Sequence, residues 1–230
     1  MTSDPSPHRP GGAEPTLALP GRFRAVVFDL DGVLVDTEPG WRRAETELLR
    51  RHGDAYTDAD AAASLGSPVD AVVARYATRL GLVGTDVTRL RDELMELAQS
   101  EYAAVALLPG AREQARALHG RIPLGVASNT PRELVFRALD TSGLRESFEV
   151  VVTADEVAHP KPAPDIYLAA CERLGIDPST AVAVEDSSPG IEAARRAGLT
   201  VIAIPGAPNI DTTSADHLVS AITEIRVDPH

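Results

Sequence analysis

Polar and charged side chains stand at the ends of several short apolar stretches of the chain. In chain order these residues are Asp29 and Asp31, Ser128 and Asn129, Lys161, and Glu185 and Asp186. Four carboxylates, a hydroxyl group and an ammonium group in one place are what phosphoryl transfer to an aspartate requires. We therefore examined what each side chain would do in that reaction.

The two aspartates of the first stretch have distinct predicted roles. Asp29 and Asp186 are expected to share a Mg²⁺ ion, because hard oxygen ligands suit this cation. The ion would offset the repulsion between a carboxylate and a phosphate, so that Asp29 can attack phosphorus and form an aspartyl-phosphate. Asp31 is predicted to donate a proton to the leaving oxygen and then to accept one from the hydrolytic water.

Two further side chains are predicted to bind the phosphate. Ser128 can donate a hydrogen bond to a phosphoryl oxygen, and Lys161 supplies positive charge where negative charge spreads in the transition state. Of the 22 lysine and arginine residues, Lys161 is the only lysine. A compact ammonium group and a planar guanidinium are not interchangeable, so a lysine here favours a functional role over a chance substitution.

Residues 130–133 (TPRE) are typical of a helix start, with a capping box and a proline at the first helical position. This pattern predicts a helix N-terminus beside Ser128, where backbone N–H groups favour an anion. The alternative interpretation of this motif alone is an ordinary helix cap without a ligand.

The elements that must position these residues alternate between strand and helix. Strands are predicted at residues 24–30, 122–127, 148–152, 181–184 and 200–204, and helices at residues 111–119, 133–139, 164–174 and 189–197. This alternation predicts a parallel sheet covered by helices on both faces. Such sheets bind ligands outside the carboxyl ends of their strands, where the candidate residues stand.

Residues 37–108 interrupt the alternation with helical periodicity. They predict an inserted α-helical cap domain, which would close over a substrate. The α/β catalytic core would then comprise residues 22–36 and 109–230. Residues 1–21 are rich in Pro, Gly, Ser and Thr, which predicts a disordered N-terminal tail.

The composition restricts the class of partner. A formal net charge of -12 argues against binding to nucleic acid or to an anionic membrane, because both require basic patches. The chain shows neither a long apolar span nor a signal-peptide pattern, so a cytoplasmic protein is expected, as a monomer or weak homodimer. Cys171 is the single cysteine and is predicted to be a core residue.

Four segments resemble the signature motifs of the haloacid dehalogenase superfamily. They are residues 28–38 (FDLDGVLVDTE), 127–129 (ASN), 161–167 (KPAPDIY) and 184–190 (VEDSSPG). The resemblance extends from Arg22 to the C-terminal region. The insert after the first motif is similar to the helical-cap subgroup, which includes beta-phosphoglucomutase-like proteins and sugar-phosphate phosphatases. The resemblance implies a Rossmann-like parallel-sheet core, a mobile cap and Mg²⁺.

The resemblance also implies site residues. It gives Asp29, Asp31, Ser128, Lys161 and Asp186 the roles described above. It adds Glu185 as an acidic residue that helps to hold the metal and the backbone carbonyl of Asp31 as a metal ligand. The expected substrate-binding residues are Glu38, Trp41, Ser128, Asn129 and Lys161.

Differences in sequence between this chain and other family members restrict the set of reactions that we predict. The dehalogenases that give the family its name lack the second aspartate, so the presence of Asp31 favours phosphoryl chemistry. Members similar to beta-phosphoglucomutase carry a histidine where this chain has Trp41, which disfavours a mutase. Residues 38–41 (EPGW) are similar to bacterial sugar- or polyol-phosphate phosphatases. There Trp41 could stack on a sugar and Glu38 could bind hydroxyls, although Trp41 could equally pack within the cap.

The sequence therefore predicts a Mg²⁺-dependent phosphomonoester hydrolase that acts on a small phosphate ester, preferably of a sugar or polyol. A beta-phosphoglucomutase-like phosphomutase and a phosphoglycolate-type phosphatase are the alternatives within the family. A phospho-accepting signalling domain is a further alternative outside enzyme function. Asp31 argues against that domain, because a proton shuttle shortens the life of an aspartyl-phosphate.

Overall fold

The computed structural model describes residues 17–19, 23–206 and 210–227. The strands in chain order are β1 (Leu17–Leu19), β2 (Ala25–Phe28), β3 (Val35–Asp36), β4 (Ala106–Leu107), β5 (Leu124–Ser128), β6 (Val150–Thr153), β7 (Ala181–Glu185), β8 (Thr200–Ala203), β9 (His217–Leu218) and β10 (Ile225–Val227). The α-helices are α1 (Glu38–Arg51), α2 (Asp58–Ser64), α3 (Val69–Leu80), α4 (Thr85–Tyr102), α5 (Ala111–Leu118), α6 (Arg132–Ser142), α7 (Asp165–Leu174) and α8 (Ser188–Ala197).

The main sheet has six parallel strands in the order β6-β5-β2-β7-β8-β9. Every residue of the three central strands β5, β2 and β7 is buried. Strands covered on both faces are expected to be apolar throughout, which explains their uninterrupted apolar sequences. The predicted Rossmann-like α/β sheet is confirmed, and the two-residue strand β9 was not predicted.

Successive side chains of β2 enter two different apolar cores. Val26 and Phe28 belong to one core, together with side chains from α5 and α6. Val27 belongs to the other core, together with side chains from α7 and α8. Since neighbouring residues of a strand point to opposite faces, the helices cover the sheet on both sides. This packing fixes the orientation of the central strands and therefore the positions of the residues at their carboxyl ends.

Helices α1 to α4 lie between the short strands β3 and β4. Strands β3 and β4 pair in antiparallel fashion, so the two connections between the sheet and these helices run side by side. Leu48, Tyr76, Leu90 and Leu94 are buried and belong to the apolar core that also contains Phe28. None of the helices in the described segments is long and apolar enough to cross a lipid bilayer.

Part of the predicted disordered tail has regular structure. Strand β1 pairs in parallel with β10, and Leu17 packs against the apolar core opposite Ile225. The prediction of disorder over residues 1–21 is therefore wrong for Leu17–Leu19. An apolar Leu-Ala-Leu segment gains enough from this packing and pairing to be ordered despite its flanking composition. Residues 1–16 and 20–21 lie outside the described residues.

Candidate active site

The candidate residues lie at the carboxyl ends of the three central strands. Asp29 directly follows β2, Ser128 ends β5 and Glu185 ends β7. The backbone N–H of Asp29 donates to the carbonyl oxygen of Val184 at 2.9 Å, which holds the end of β2 beside the end of β7. Strands β5, β2 and β7 are adjacent in the sheet, so their carboxyl ends surround one crevice. Ligand sites are expected at this position in parallel sheets of this type.

Lys161 connects two of the buried carboxylates. Its Nζ donates to Oδ1 of Asp29 at 2.7 Å and to Oε1 of Glu185 at 2.6 Å. The hydroxyl of Tyr167 donates to the same Glu185 oxygen at 2.6 Å. Burial alone would lower the pKa of Lys161, but the charges of Asp29 and Glu185 outweigh burial and raise that pKa above its ordinary value. The ammonium group is therefore a permanent positive charge beside Asp29.

Asp29, Glu185 and Asp186 form a cluster that could hold a cation. One oxygen from each lies within 4.8 Å of the others. Burial raises the pKa of Asp29 to about 8, although the charge of Lys161 opposes this shift. Burial, followed by the charge of Asp29, also raises the pKa of Asp186 well above its ordinary value. This excess of buried carboxylates over positive charge suits a hard divalent cation, which would stabilise their ionised forms.

Two glycines make room for this cluster. Gly32 has a φ of 76°, and a Cβ at that position would lie 1.8 Å from Oδ2 of Asp186. A Cβ at Gly190, in the first turn of α8, would lie 2.0 Å from the carboxylate of Glu185. The backbone therefore approaches both carboxylates more closely than any side chain would permit.

Asp31 accepts hydrogen bonds from four hydroxyl groups. Thr37 and Tyr102 donate to Oδ1 at 2.7 and 2.6 Å. Ser128 and Thr130 each donate to Oδ2 at 2.9 Å. Ser128 thus contacts Asp31, while its predicted bond to a phosphoryl oxygen stays a prediction. The sequence patterns predicted Thr130 only as a helix cap and gave no role in the site to Thr37 or Tyr102, although Thr37 lies within the first motif.

The predicted capping box at residues 130–133 is wrong. Helix α6 begins at Arg132, its N-cap residue is Pro131, and no side chain caps it. Thr130 donates instead to Asp31, and the Glu133 carboxylate accepts a bond from Gln99 at 3.1 Å. Because the N-cap residue is Pro131, Thr130 lies one residue outside the cap position, and its hydroxyl donates to a charged acceptor in the site instead.

Asn129 connects the lysine loop to the helical insert. Its Oδ1 accepts from the backbone N–H of Lys161 at 2.9 Å, and its Nδ2 donates to the carbonyl oxygen of Lys161 at 3.2 Å. Nδ2 also donates to the carbonyl oxygen of Gly66, between α2 and α3, at 2.9 Å. Asn129 lines the pocket, but these bonds occupy its amide group. Its predicted contact with substrate therefore stays a prediction.

The pocket above the cluster has a volume of about 210 Å³. Pockets for drug-sized ligands usually measure about 300–1,000 Å³, so this volume suits a smaller molecule. Core residues that line it include Asp29, Asp31, Lys161 and Asp186. The lining residues that α1, α2 and the segment between them contribute are called here the cap-side wall, and they include Glu38, Trp41, Arg42, Glu45, Tyr56 and Ser64.

The cap-side wall contains both residues that were predicted to contact substrate there. Glu38 is exposed and lines the pocket. Trp41 is half-buried, and its Nε1 donates to the hydroxyl of Tyr102 at 2.9 Å. The rings of Trp41 and Tyr102 meet edge to face, with centroids 5.7 Å apart. Trp41 therefore packs within the insert and also faces the pocket, so both of its predicted roles remain compatible with the geometry.

Comparison with protein families and curated proteins gives a consistent result. The family model described as haloacid dehalogenase-like hydrolase matches residues 23–198. Validoxylamine A 7'-phosphate phosphatase from Streptomyces hygroscopicus subsp. limoneus is 34% identical over 207 residues, which cover 89% of this chain and 96% of the relative. Hexitol phosphatase B from Escherichia coli (strain K12) is 32% identical over 216 residues, covering 91% and 97%. Fructose-1-phosphate phosphatase YqaB from the same organism is 35% identical over 182 residues, covering 79% and 96%.

Solved structures share the whole architecture. CbbY from Rhodobacter sphaeroides, in complex with phosphate, superposes with a TM-score of 0.79 at 30% identity. A putative beta-phosphoglucomutase from Thermotoga maritima superposes with a TM-score of 0.68, also at 30% identity. In both cases the match covers 88% of this chain and 96% of the other. The similarity therefore includes the helical insert as well as the sheet.

Proposed function

Since the chain belongs to the haloacid dehalogenase-like hydrolase family, we propose that it hydrolyses a sugar or polyol phosphate through an aspartyl-phosphate intermediate. The observation that supports this proposal is the juxtaposition of Asp29, held by Lys161 at 2.7 Å, with a second aspartate, Asp31, in the same pocket. A nucleophilic carboxylate and a separate proton carrier are what the two half-reactions need.

The related proteins support the choice of substrate class. Three of them are phosphatases for a validoxylamine phosphate, fructose 1-phosphate and hexitol phosphates. Fructose is a sugar and hexitols are polyols, so each of these two relatives acts on a monophosphate with several free hydroxyl groups. We assign the same class of small-molecule substrate to this chain.

In the first half-reaction, an oxygen of Asp29 forms a bond to phosphorus while the ester bond breaks. The leaving alcohol oxygen takes the proton from Asp31. In the second half-reaction, Asp31 removes a proton from water, whose oxygen attacks phosphorus and releases the carboxylate of Asp29 with inorganic phosphate. Lys161 fixes the orientation of Asp29 and stabilises charge on the transferring group. Ser128 is placed to hydrogen-bond a phosphoryl oxygen or, as here, Asp31.

We further propose that the acidic cluster holds Mg²⁺. Asp29 and Asp186 would supply carboxylate oxygens and Asp31 its backbone carbonyl, as the family resemblance implies. Both oxygens of Glu185 already accept hydrogen bonds, from Lys161 and Tyr167 on Oε1 and more weakly from Ser187 on Oε2. Glu185 would therefore support the site indirectly. A bound Mg²⁺ would favour the ionised form of Asp29 and neutralise charge on the phosphate.

We propose that the chain divides into a catalytic core of residues 22–36 and 109–230 and a cap of residues 37–108. The paired strands β3 and β4 would form the hinge between them. The pocket is lined from both parts, which supports a division between phosphate chemistry in the core and substrate selection by the cap.

The test is release of inorganic phosphate from fructose 1-phosphate, a hexitol phosphate, 2-phosphoglycolate and an aryl phosphate, each with Mg²⁺ or with a chelator. We expect release that depends on Mg²⁺ and is fastest with the sugar or polyol esters. Asp29→Asn should abolish turnover while the circular dichroism spectrum and unfolding temperature stay near those of the wild type.

Absence of release from every ester, or an active Asp29→Asn variant, would refute the proposed reaction. Interconversion of a sugar 1-phosphate and its 6-phosphate without net release would instead assign a phosphomutase.

A further inference from the structure

Glu45 is a buried carboxylate in the cap-side wall that the proposed reaction does not use. It lies on α1, its residue surface is 2% exposed, and it lines the same pocket as Asp29 and Lys161. The apolar periodicity of α1 places Glu45 between Ala44 and Leu48 on the inner face. A carboxylate is rarely buried without a specific partner, so its surroundings indicate what it does.

One oxygen of Glu45 is held firmly by the neighbouring helices. The hydroxyl of Tyr76 on α3 and the hydroxyl of Ser64 on α2 both donate to Oε2, the latter at 2.8 Å. Arg75 in turn donates to Ser64 at 2.7 Å, which brings a positive charge close to the carboxylate. The carboxylate is therefore fixed in position by three helices.

The other oxygen of Glu45 has no such partner. Oε1 accepts no hydrogen bond from any residue that the structure describes. An acceptor that remains unsatisfied inside a protein destabilises it, whereas one that faces a ligand pocket can be satisfied by the ligand. The fixed position and the available lone pairs suit binding of a donor, and a substrate hydroxyl is such a donor.

Glu45 and Lys161 line the same pocket but come from different parts of the chain, α1 of the helical insert and the loop before α7. Lys161 and the acidic cluster lie on the side where phosphate would react. A substrate whose phosphate reacts at the cluster would contact the cap-side wall with the remainder of the molecule. A carboxylate there attracts hydroxyl donors and repels a second phosphate or a carboxylate. Arg42, the cation of this wall, is exposed and lies over the ring of Tyr56 at 5.9 Å.

We propose that Glu45 accepts a hydrogen bond from a substrate hydroxyl through Oε1 and thereby selects phosphate esters with an uncharged polyhydroxyl tail over those with a second anionic group. This inference rests on the proposed phosphatase function. It makes Glu45 a specificity-determining residue and disfavours phosphoglycolate and sugar bisphosphates as substrates.

The test is kcat/KM of Glu45→Gln for a hexitol phosphate, 2-phosphoglycolate and p-nitrophenyl phosphate, which has no hydroxyl tail. Replacing a charged acceptor by a neutral one should lower kcat/KM for the hexitol phosphate by about tenfold. The value for p-nitrophenyl phosphate should change by less than about threefold, and the preference against phosphoglycolate should diminish. Glu47→Gln is the matched control, because Glu47 lies on the same helix and pairs with Arg50 and Arg51. It should leave all three values unchanged.

If kcat/KM of Glu45→Gln falls by the same factor for all three substrates, the inference is overturned. Glu45 would then be a purely structural link between helices. If Glu45→Gln does not fold, Tyr76→Phe decides the question, because it removes one donor to Oε2 but keeps the carboxylate. It should lower kcat/KM selectively for the hexitol phosphate, by a smaller factor. Failure of the wild type to release phosphate from any ester would refute the phosphatase function itself.

Discussion

Four hydroxyl groups surround the carboxylate of Asp31, and they come from three separate parts of the chain. Thr37 lies within the first motif, Ser128 ends β5 with Thr130 two residues later, and Tyr102 ends α4. Hydrogen bonds to a charged acceptor are stronger than those between neutral groups. The orientation of the proposed proton carrier is therefore determined jointly by the core and the helical insert.

Tyr102→Phe tests this arrangement. The variant keeps the ring but removes one donor to Asp31 and the acceptor of the Trp41 N–H. If this bond positions Asp31 in the transition state, kcat should fall by about tenfold to a hundredfold. The pH profile of kcat should also change, because the environment of the proton carrier is altered.

The unfolding temperature of Tyr102→Phe serves as the control. A loss of kcat that is matched by a large loss of stability, with an unaltered pH profile, would indicate that Tyr102 is only a packing residue.

Glu45 gives a prediction for stability against pH. Burial raises its pKa above the ordinary value of 4.5, although Tyr76, Ser64 and Arg75 oppose that shift and Asp60 adds to it. In the window between the ordinary pKa and the raised pKa, the folded state holds a proton that the unfolded state has lost. The free energy of unfolding therefore falls as pH rises through this window.

The variant Glu45→Gln removes this titration. Its unfolding temperature should rise relative to that of the wild type as the pH increases from about 4.5 towards neutrality. Thermal unfolding of both proteins at several pH values measures the difference. Curves that stay parallel would show that the buried environment does not disfavour the ionised carboxylate.

The site residues within the four motif segments could be predicted from the sequence, but the side chains that surround them could not. Asp29, Lys161, Glu185 and Asp186 could be identified because strand ends and family motifs mark them. Tyr102 could not, because it lies 71 positions from Asp31 and looks like any buried aromatic residue of an amphipathic helix. Glu45 was missed for a related reason, since a helical pattern does not reveal which polar residue is turned inward.

At the scale of elements, the apolar character of the central strands made the sheet predictable. Fully buried parallel strands have uninterrupted apolar sequences, and β2, β5 and β7 follow this rule. Strands β1 and β9 escaped prediction because they are two or three residues long and carry no periodicity. Helix α6 begins at Arg132, one residue after the first helical position that the capping motif predicted and one residue before the predicted helix 133–139. The predicted cap is absent, and the hydroxyl of Thr130 donates to a tertiary partner, Asp31.

The turn after β2 depends on Gly32, and Gly32→Ala tests this. The new Cβ would collide with Asp186 in addition to straining a positive φ. We expect activity to fall by about a hundredfold or more, because Asp186 is displaced from the acidic cluster. Mg²⁺ should also stabilise this variant less than the wild type, as measured by the unfolding temperature with increasing Mg²⁺.

Gly198→Ala provides the matched control. Gly198, at the end of α8, has a φ of 88°, but a Cβ there would meet nothing within 4 Å. It should cost about 1–2 kcal/mol of stability and leave activity intact. If both variants lose activity equally, backbone strain and not the contact with Asp186 is responsible.

At the scale of the whole molecule, the two apolar cores enclose the sheet from both faces. Cys171 belongs to the core beneath α7 and α8, and its surface is 1% exposed. Burial raises the pKa of its thiol to about 11, which leaves almost no thiolate near neutral pH. Since the thiolate is the reactive form, this residue reports on the integrity of the fold.

A disulfide reagent should therefore modify Cys171 in the folded protein at pH 8 much more slowly than in denaturant. The labelling rate should follow the rate or extent of global unfolding when the denaturant concentration is varied. Rapid labelling without denaturant would show instead that α7 opens locally while the rest of the fold persists.

The hydrogen bond between Asn129 and the carbonyl oxygen of Gly66 affects chimaeras in which the helical insert comes from another family member. A Cβ at position 66 would lie 2.8 Å from the side chain of Ser187, so the turn between α2 and α3 can reach the core only without a side chain there. A helical insert grafted from another family member would need a glycine at this place to seat on this core. Compatibility of a chimaera would thus be decided at one backbone position, even where the remainder of the insert has diverged.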